Sequence, residues 1–275
     1  MTETSTLLVE HIGPVDRVTL NRPDQLNAVN PDMTDALLAY FGGLAERPAT
    51  RVVVLSGAGK AFCVGVDLKA RAEYLADELP LIGKVLADQR RFSEIILRMR
   101  RAPQPIVAAV QGATCGIGFA MMLAADIRVA GASARMNAAP IKVGLSGCDV
   151  GLSYFLPRMA GSAVAAELML TGRFIDAARA LSLGLVSEVV PDDRLRETAE
   201  SYVADMLMAA PLGLRLTKQG LNSSIDANDL ASVIELEDRN QVLCCGSGDF
   251  REGMRAFIGK RPARYAQDRS PDGLA

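Results

Sequence analysis

Hydrophobic positions divide the chain into two stretches of different texture. In the first, short apolar runs alternate with amphipathic ones. Residues 51–55 (RVVVL) form a β-branched run closed by Ser56-Gly57, and residues 106–110 (IVAAV) form another, both reading as buried strands. Residues 7–10 and 15–20 read as strands around the Gly13-Pro14 turn, and residues 126–129 and 133–137 as two more. Pro31-Asp32 opens a helix to about residue 45, and a helix over 118–125 follows the second glycine turn. Residues 81–101 predict a longer helix, because Phe92, Ile95, Ile96 and Met99 fall at i, i+3, i+4 and i+7. Its arginines read as a solvated face. From residue 162 onward the text is mainly helical: 163–170, 176–182, 193–209, 212–222 and 226–242, with a lone strand at 185–190. Strand–helix units followed by helices predict an α/β core with a helical C-terminal region, and a fraying end after Arg261.

Residues 102–125 carry no charge and are long enough to imitate a membrane span. Pro103 and Pro105 open the run, and Gln111-Gly112, Gly116 and Gly118 interrupt it. Turn chemistry therefore predicts a buried strand, a glycine turn and a buried helix, with no membrane partner.

The composition narrows the chemistry. With 275 residues, 49% apolar and 23% charged, the chain has globular composition and can bury a core without staples. A net charge of −2 disfavours a nucleic-acid partner. The single histidine, His11, excludes HExxH zinc sites and most His-dependent triads. Five cysteines without a CxxC pair predict no metal site and reduced thiols, hence a cytoplasmic location for a chain showing no leader. Gly57-Ala58-Gly59-Lys60 fails as a phosphate loop, because Val54 stands where the first glycine belongs and Ala61 follows the lysine. Gly116-Ile117-Gly118 lacks the third glycine of a dinucleotide fingerprint.

Two segments remain, RVVVLSGAGKAFCVGVDLK at 51–69 and PIVAAVQGATCGIGFAMMLAAD at 105–126. Each is a buried strand entering a glycine-containing turn. Such turns can aim two backbone N–H groups at one carbonyl oxygen, and they can equally be plain corners of an α/β core.

These segments, with NRPDQLNAV at 21–29, VGLSGCDVGLSYFLPR at 143–158, LMLTGRFIDAARALSLGLVSEVV at 168–190 and FIGKRPARY at 257–265, resemble the crotonase (enoyl-CoA hydratase/isomerase) superfamily over nearly the whole chain. The resemblance implies a crotonase (ClpP-like) α/β fold of repeated ββα units over residues 1–200. It implies a helical oligomerisation region over 201–275, giving a homotrimer or a dimer of trimers. The implied ligand is an acyl-CoA thioester, with coenzyme A as part of the substrate and no separate cofactor. The implied oxyanion donors are the N–H groups of Val66, after Gly65, and Ile117, after Gly116; the family usually has glycine where Ile117 stands. Backbone near Asn27 and Ala28, together with Lys69, is expected to line the CoA, and Lys260 of the partner subunit to meet its phosphates.

Hydratases of the superfamily use two glutamates. Six residues before Asp126 stands Ala120, and the Pro-Glu pair is replaced by Ala139-Pro140-Ile141-Lys142. Asp149, in CDVGLSY, is the acid left in that stretch, and it resembles an Asp of dienoyl-CoA isomerases and of 4-chlorobenzoyl-CoA dehalogenase, the latter with Ser153 and Tyr154 following. It can serve as a base, as a nucleophile or as the N-cap of the next helix. Enoyl-CoA isomerisation is the expected reaction. The alternatives are hydration or lyase chemistry with a non-standard acid, hydrolase or dehalogenase chemistry, and a non-catalytic acyl-CoA scaffold. The loop 69–81 and the helix after it are expected to shape the acyl pocket.

Overall fold

A computed structural model describes residues 5–75 and 82–265. In chain order the first half contains β1 (Leu7–Ile12), β2 (Val15–Leu20), α1 (Pro31–Gly42), β3 (Val52–Gly57), α2 (Leu68–Leu75), α3 (Ile82–Arg101), β4 (Ile106–Val110) and β5 (Ala113–Cys115). Next come α4 (Ile117–Ala124), β6 (Ile127–Gly131), β7 (Arg135–Asn137), α5 (Leu152–Ala160), α6 (Ser162–Thr171), β8 (Ile175–Asp176), α7 (Ala177–Ser182) and β9 (Glu188–Val190). The chain continues with α8 (Leu195–Leu207), α9 (Pro211–Ser224), α10 (Leu230–Gly246) and α11 (Gly248–Ile258).

A six-stranded sheet runs β1-β2-β3-β4-β6-β9, parallel except for the β1–β2 hairpin, and a three-stranded sheet runs β5-β7-β8. Residues of β3 alternate between two cores. Val53 and Leu55 join the large one with α1, α3, α4 and α5, while Val52 and Val54 join a smaller one under α8. Burial on both faces explains why β3 is an unbroken apolar run, as parallel strands covered on both sides are. Helix α4 is buried on every side, so it too lacks polar residues. The uncharged stretch thus divides into β4, β5 and α4, and no helix among the described residues is long and apolar enough to cross a membrane.

Several expected boundaries shift for local reasons. The strand expected over 185–190 is confined to β9, because Leu185 and Val186 turn into the large core. The strand expected over 133–137 starts at Arg135, and the helix expected over 226–242 starts at Leu230, where the Asp229 carboxylate accepts from Ser232 N at 2.9 Å. The expected fraying after Arg261 is corrected as far as residue 265. There Arg261 pairs with Glu252, Arg264 N–H donates to Glu252, and Tyr265 is buried. A division at residue 200 falls inside α8, which packs on the sheet through Leu195, Ala199 and Val203.

Helix α9 is tied to the core by a buried lysine. Lys218 Nζ donates to the carbonyls of Met99 (3.2 Å) and Gln104 (2.9 Å) and lies 2.9 Å from Asp126 Oδ2. Burial pulls the Lys218 amine below its ordinary range, and Asp126 opposes that pull. The start of α1 matters because Asn30, which caps it, lines the larger of the two cavities described below. Its side-chain oxygen accepts from Met33 N at 3.0 Å, and Met33, Leu37 and Phe41 then face the core. Asn30→Ala is expected to remove about 1 kcal/mol of stability and lower the melting temperature by about 2–4 °C. An unchanged melt would show that Pro31 alone sets the helix start.

Candidate active site

The two glycine turns meet. Beyond β3, the chain at 62–63 pairs with the segment after β4: Phe62 N donates to Gln111 O (2.7 Å), Cys63 N to Ala113 O (3.2 Å) and Cys115 N to Cys63 O (2.8 Å). This lays Gly65 against Gly116, where a Cβ on Gly116 would lie 3.8 Å from Gly65 Cα. Gly65 has φ 111° and Gly116 has φ 52°, ψ −120°, conformations that L side chains rarely adopt. These angles set the direction of the next N–H in each turn. Among the described residues, neither the Val66 N–H nor the Ile117 N–H has a hydrogen-bond acceptor. Ile117 is also the first residue of α4, where helix N–H groups are free by construction and the helix dipole is positive. Two unpaired donors on one cavity suit an oxygen that gains negative charge.

That cavity has a volume of about 120 Å³. Gly65, Val66, Gly116 and Ile117 line it, with Val64, Leu68, Phe92, Leu145 and Val150 as apolar wall. Among the described residues, Asp149 is the one carboxylate in its lining. Gln89, from α3, donates from Nε2 to Asp149 Oδ1 at 2.6 Å. Desolvation pushes the Asp149 carboxyl above the ordinary carboxylate range, while the Gln89 amide and the Val150 N–H pull it back. A carboxyl raised above the ordinary carboxylate range is a stronger base than a solvated one, which suits proton transfer.

The N-cap reading of Asp149 does not hold. Helix α5 starts at Leu152 with Gly151 (φ 93°) as its cap, and no side chain caps it. Asp149 meets the helix entrance with its backbone, accepting from Leu152 N at 2.8 Å. Between them Val150 has φ 38°, a left-handed conformation that costs a β-branched residue about 1–3 kcal/mol. This turn points the Asp149 side chain toward α3 and the cavity and leaves the helix N-terminus to others.

The other expected residues separate. Ala120 is buried inside α4, and Ala139 and Pro140 line the cavity without an acid. Tyr154 turns away, donating to Asp226 at 2.6 Å under Arg158, and Ser153 is exposed. Cys148 is exposed and outside the lining, and His11 pairs with Asp16. Asn27 is fully buried: its side chain accepts from Arg22 N (2.8 Å) and donates to the carbonyls of Ala58 (2.9 Å) and Ala61 (2.8 Å). The Ala28 carbonyl accepts from Arg22 Nη1, which also pairs with Asp67 at 2.8 Å. These two residues brace the loop behind Val66 and do not line the cavity. Lys69 is exposed in the first turn of α2, and Lys260 is exposed just beyond α11; neither lines the cavity.

The loop 69–81 and the helix after it, expected to shape the acyl pocket, contribute Arg71, Gln89 and Phe92 to the lining, residues that the sequence did not single out for the site; residues 76–81 of that loop lie outside the described residues. Phe92 and Arg71, with Val66, also line a second cavity of about 300 Å³. A signal for Gln89 was present, since it stands three residues before Phe92 and seven before Ile96, a polar residue on an apolar stripe.

Comparison with known proteins bears on the family and the fold. The sequence pattern of a family described as enoyl-CoA hydratase/isomerase matches residues 11–268. The chain is 37% identical over 267 residues to a probable enoyl-CoA hydratase of Mycobacterium tuberculosis, covering 96% of this chain and 94% of that protein. It is 34% identical over 248 residues to the 1,2-epoxyphenylacetyl-CoA isomerase of Escherichia coli, covering 90% and 93%. The crystal structure of an enoyl-CoA hydratase from Bacillus anthracis superposes with a TM-score of 0.89 at 31% identity, covering 96% of this chain and all (100%) of that one.

Proposed function

This chain belongs to the enoyl-CoA hydratase/isomerase family and has its crotonase fold, and on that premise we propose that it moves the double bond of an enoyl-CoA thioester. The observation that carries the proposal is the carboxylate: among the described residues Asp149 is the one acid lining the cavity, which it shares with two unpaired N–H groups. The thioester oxygen sits between Val66 N and Ile117 N, which stabilise it as the enolate forms. Asp149 removes a proton from the carbon skeleton, the electron pair delocalises over the dienolate, and the same carboxyl returns the proton to the other end. One group serves as base and then as acid, so no second acid is needed. Adding water requires one group to activate the water and another to protonate the α-carbon, and Ala120 and Pro140 offer neither.

The acyl chain lies against Phe92, Leu145 and Val150. The CoA moiety, as part of the substrate, runs out past the Asn27–Ala28 loop and Lys69, and its phosphates meet Lys260 of the partner subunit. Assembly as a trimer covers α9, α10 and α11, where Leu221, Val242, Leu243, Phe257 and Ile258 are exposed apolar residues.

Mass spectrometry of 2-enoyl- and 3-enoyl-CoA incubated with the protein in deuterated water tests the reaction. Isomerisation incorporates deuterium and migrates the double bond without adding the mass of water. Clean hydration would overturn the single-carboxyl mechanism, thioester cleavage would make Asp149 a nucleophile, and CoA binding without any change would mark a scaffold.

A further inference from the structure

We propose that Gln89 is a positioning residue for the proton transfer, holding one oxygen of Asp149 in both protonation states so that the other oxygen faces the substrate. The inference rests on the isomerase reading of the same site and deepens it.

The two residues come from separate parts of the chain, 60 positions apart, and meet at 2.6 Å. Each is held from its own side. Gln89 stands on α3, whose Ile95, Ile96 and Met99 are buried in the large core, so its backbone has little freedom. Asp149 stands before Val150 (φ 38°) and Gly151 (φ 93°), a turn whose conformation is constrained by its entry into α5. The contact therefore joins two rigid supports on the wall of the cavity.

The chemistry of the amide matters as much as its place. An ionised carboxylate only accepts hydrogen bonds, and a lysine or arginine in place of Gln89 would satisfy it while resisting protonation. A neutral carboxamide serves both states: Nε2 donates to Oδ1 of the carboxylate, and once the substrate-facing oxygen carries the proton, Nε2 still donates to Oδ1, now the carbonyl oxygen of the acid. A base that takes a proton from one carbon and returns it to another passes through both states in every turnover. Gln89 keeps Asp149 bonded and oriented in each. It also favours the ionised form in the resting enzyme, opposing the desolvation of the site.

Gln89→Met and Gln89→Glu test this in the full-length protein, with Arg90→Gln at an exposed neighbour as the control. Methionine keeps the length and removes both hydrogen-bonding functions; glutamate keeps the shape and adds a negative charge. The first readout needs no substrate: 13C NMR titration of the Asp149 carboxyl, assigned by the signal lost in Asp149→Asn. The midpoint is expected to rise by about one unit or more in Gln89→Met and further in Gln89→Glu, where two carboxyls share a proton. The second is the pH profile of kcat on a 3-enoyl-CoA, whose acid limb should move by the same amount while kcat falls about 10- to 100-fold and KM changes little. Arg90→Gln should leave both unchanged. A midpoint that stays in place in Gln89→Met overturns the inference, as does an equal loss of rate in both variants with no movement of the acid limb, which is the mark of packing alone. The two readings fail separately. Asp149→Asn with wild-type turnover overturns the isomerase mechanism, whereas inactive Asp149→Asn with unmoved Gln89 variants overturns only the role of Gln89.

Discussion

Asp149→Asn is expected to lower isomerisation and solvent exchange by about a thousandfold, the scale of a removed general acid–base group, or about 4 kcal/mol of transition-state stabilisation. Asparagine keeps the shape and the contact with Gln89, so affinity for a CoA thioester should remain within about a few-fold of wild type. The substitution also carries a stability signature. The folded-state pKa of Asp149 is raised, chiefly by desolvation. A group of this kind contributes fully below its unfolded pKa, and its contribution is lost as pH rises through the raised folded pKa, because ionisation is less favourable in the fold than in water. At neutral pH and above, Asp149→Asn should therefore melt higher than the wild type, and the gap should close as the pH falls into the ordinary carboxylate range. The wild-type rate should decline on acidification with a midpoint above that range, since the ionised carboxyl is the base. Turnover within tenfold of wild type, or a gap in melting temperature that persists at low pH, would remove Asp149 from the mechanism.

The parts of the fold that were legible in the sequence are those whose burial forces a pattern. Strands β3 and β4 are covered on both faces and read as apolar runs; α3 is covered on one face and reads as a stripe through Phe92, Ile95, Ile96 and Met99. The three-residue strand β5 and the two-residue strand β8 carry no such pattern, because their partners in the small sheet come from distant segments. Helix α2 was hidden by its polar sequence, LKARAEYL, and α11 by its glycine and serine start. Within the site, Gly65 and Gly116 were visible because only glycine is at ease at their φ values. Gln89 was not read, since a neutral amide acquires meaning only from the carboxylate it meets. The Asn27 side chain looked the same in sequence whether it touches a ligand or braces a loop; its bonds with Arg22, Ala58 and Ala61 show the bracing, a role separate from the backbone contact expected there.

Gly118→Ala should disable the site without touching the substrate. Gly118 is the second residue of α4, and a Cβ there would fall inside van der Waals contact of the Cys63 carbonyl oxygen and 2.8 Å from Cys63 Cβ. The carbonyl belongs to the backbone that pairs with Cys115 N at 2.8 Å, so it cannot rotate away as a side-chain tip would. Either α4 lifts, carrying Ile117 N–H, or the 63–66 segment retreats, carrying Val66 N–H. Both movements widen the gap between the two donors, and loss of one oxyanion donor costs about 10²- to 10³-fold in kcat. Overpacking should lower stability by about 1–3 kcal/mol, which at this size is a fall of several degrees in melting temperature and leaves the protein folded at 25 °C. The rate loss measured there thus reports geometry and not unfolding. Adding Cys63→Ala removes a side chain but not the carbonyl, so it should not restore the rate. A Gly118→Ala protein with wild-type kcat would mean that the two turns are not held in register by this contact, and that the Val66 and Ile117 donors are not the groups that stabilise the enolate.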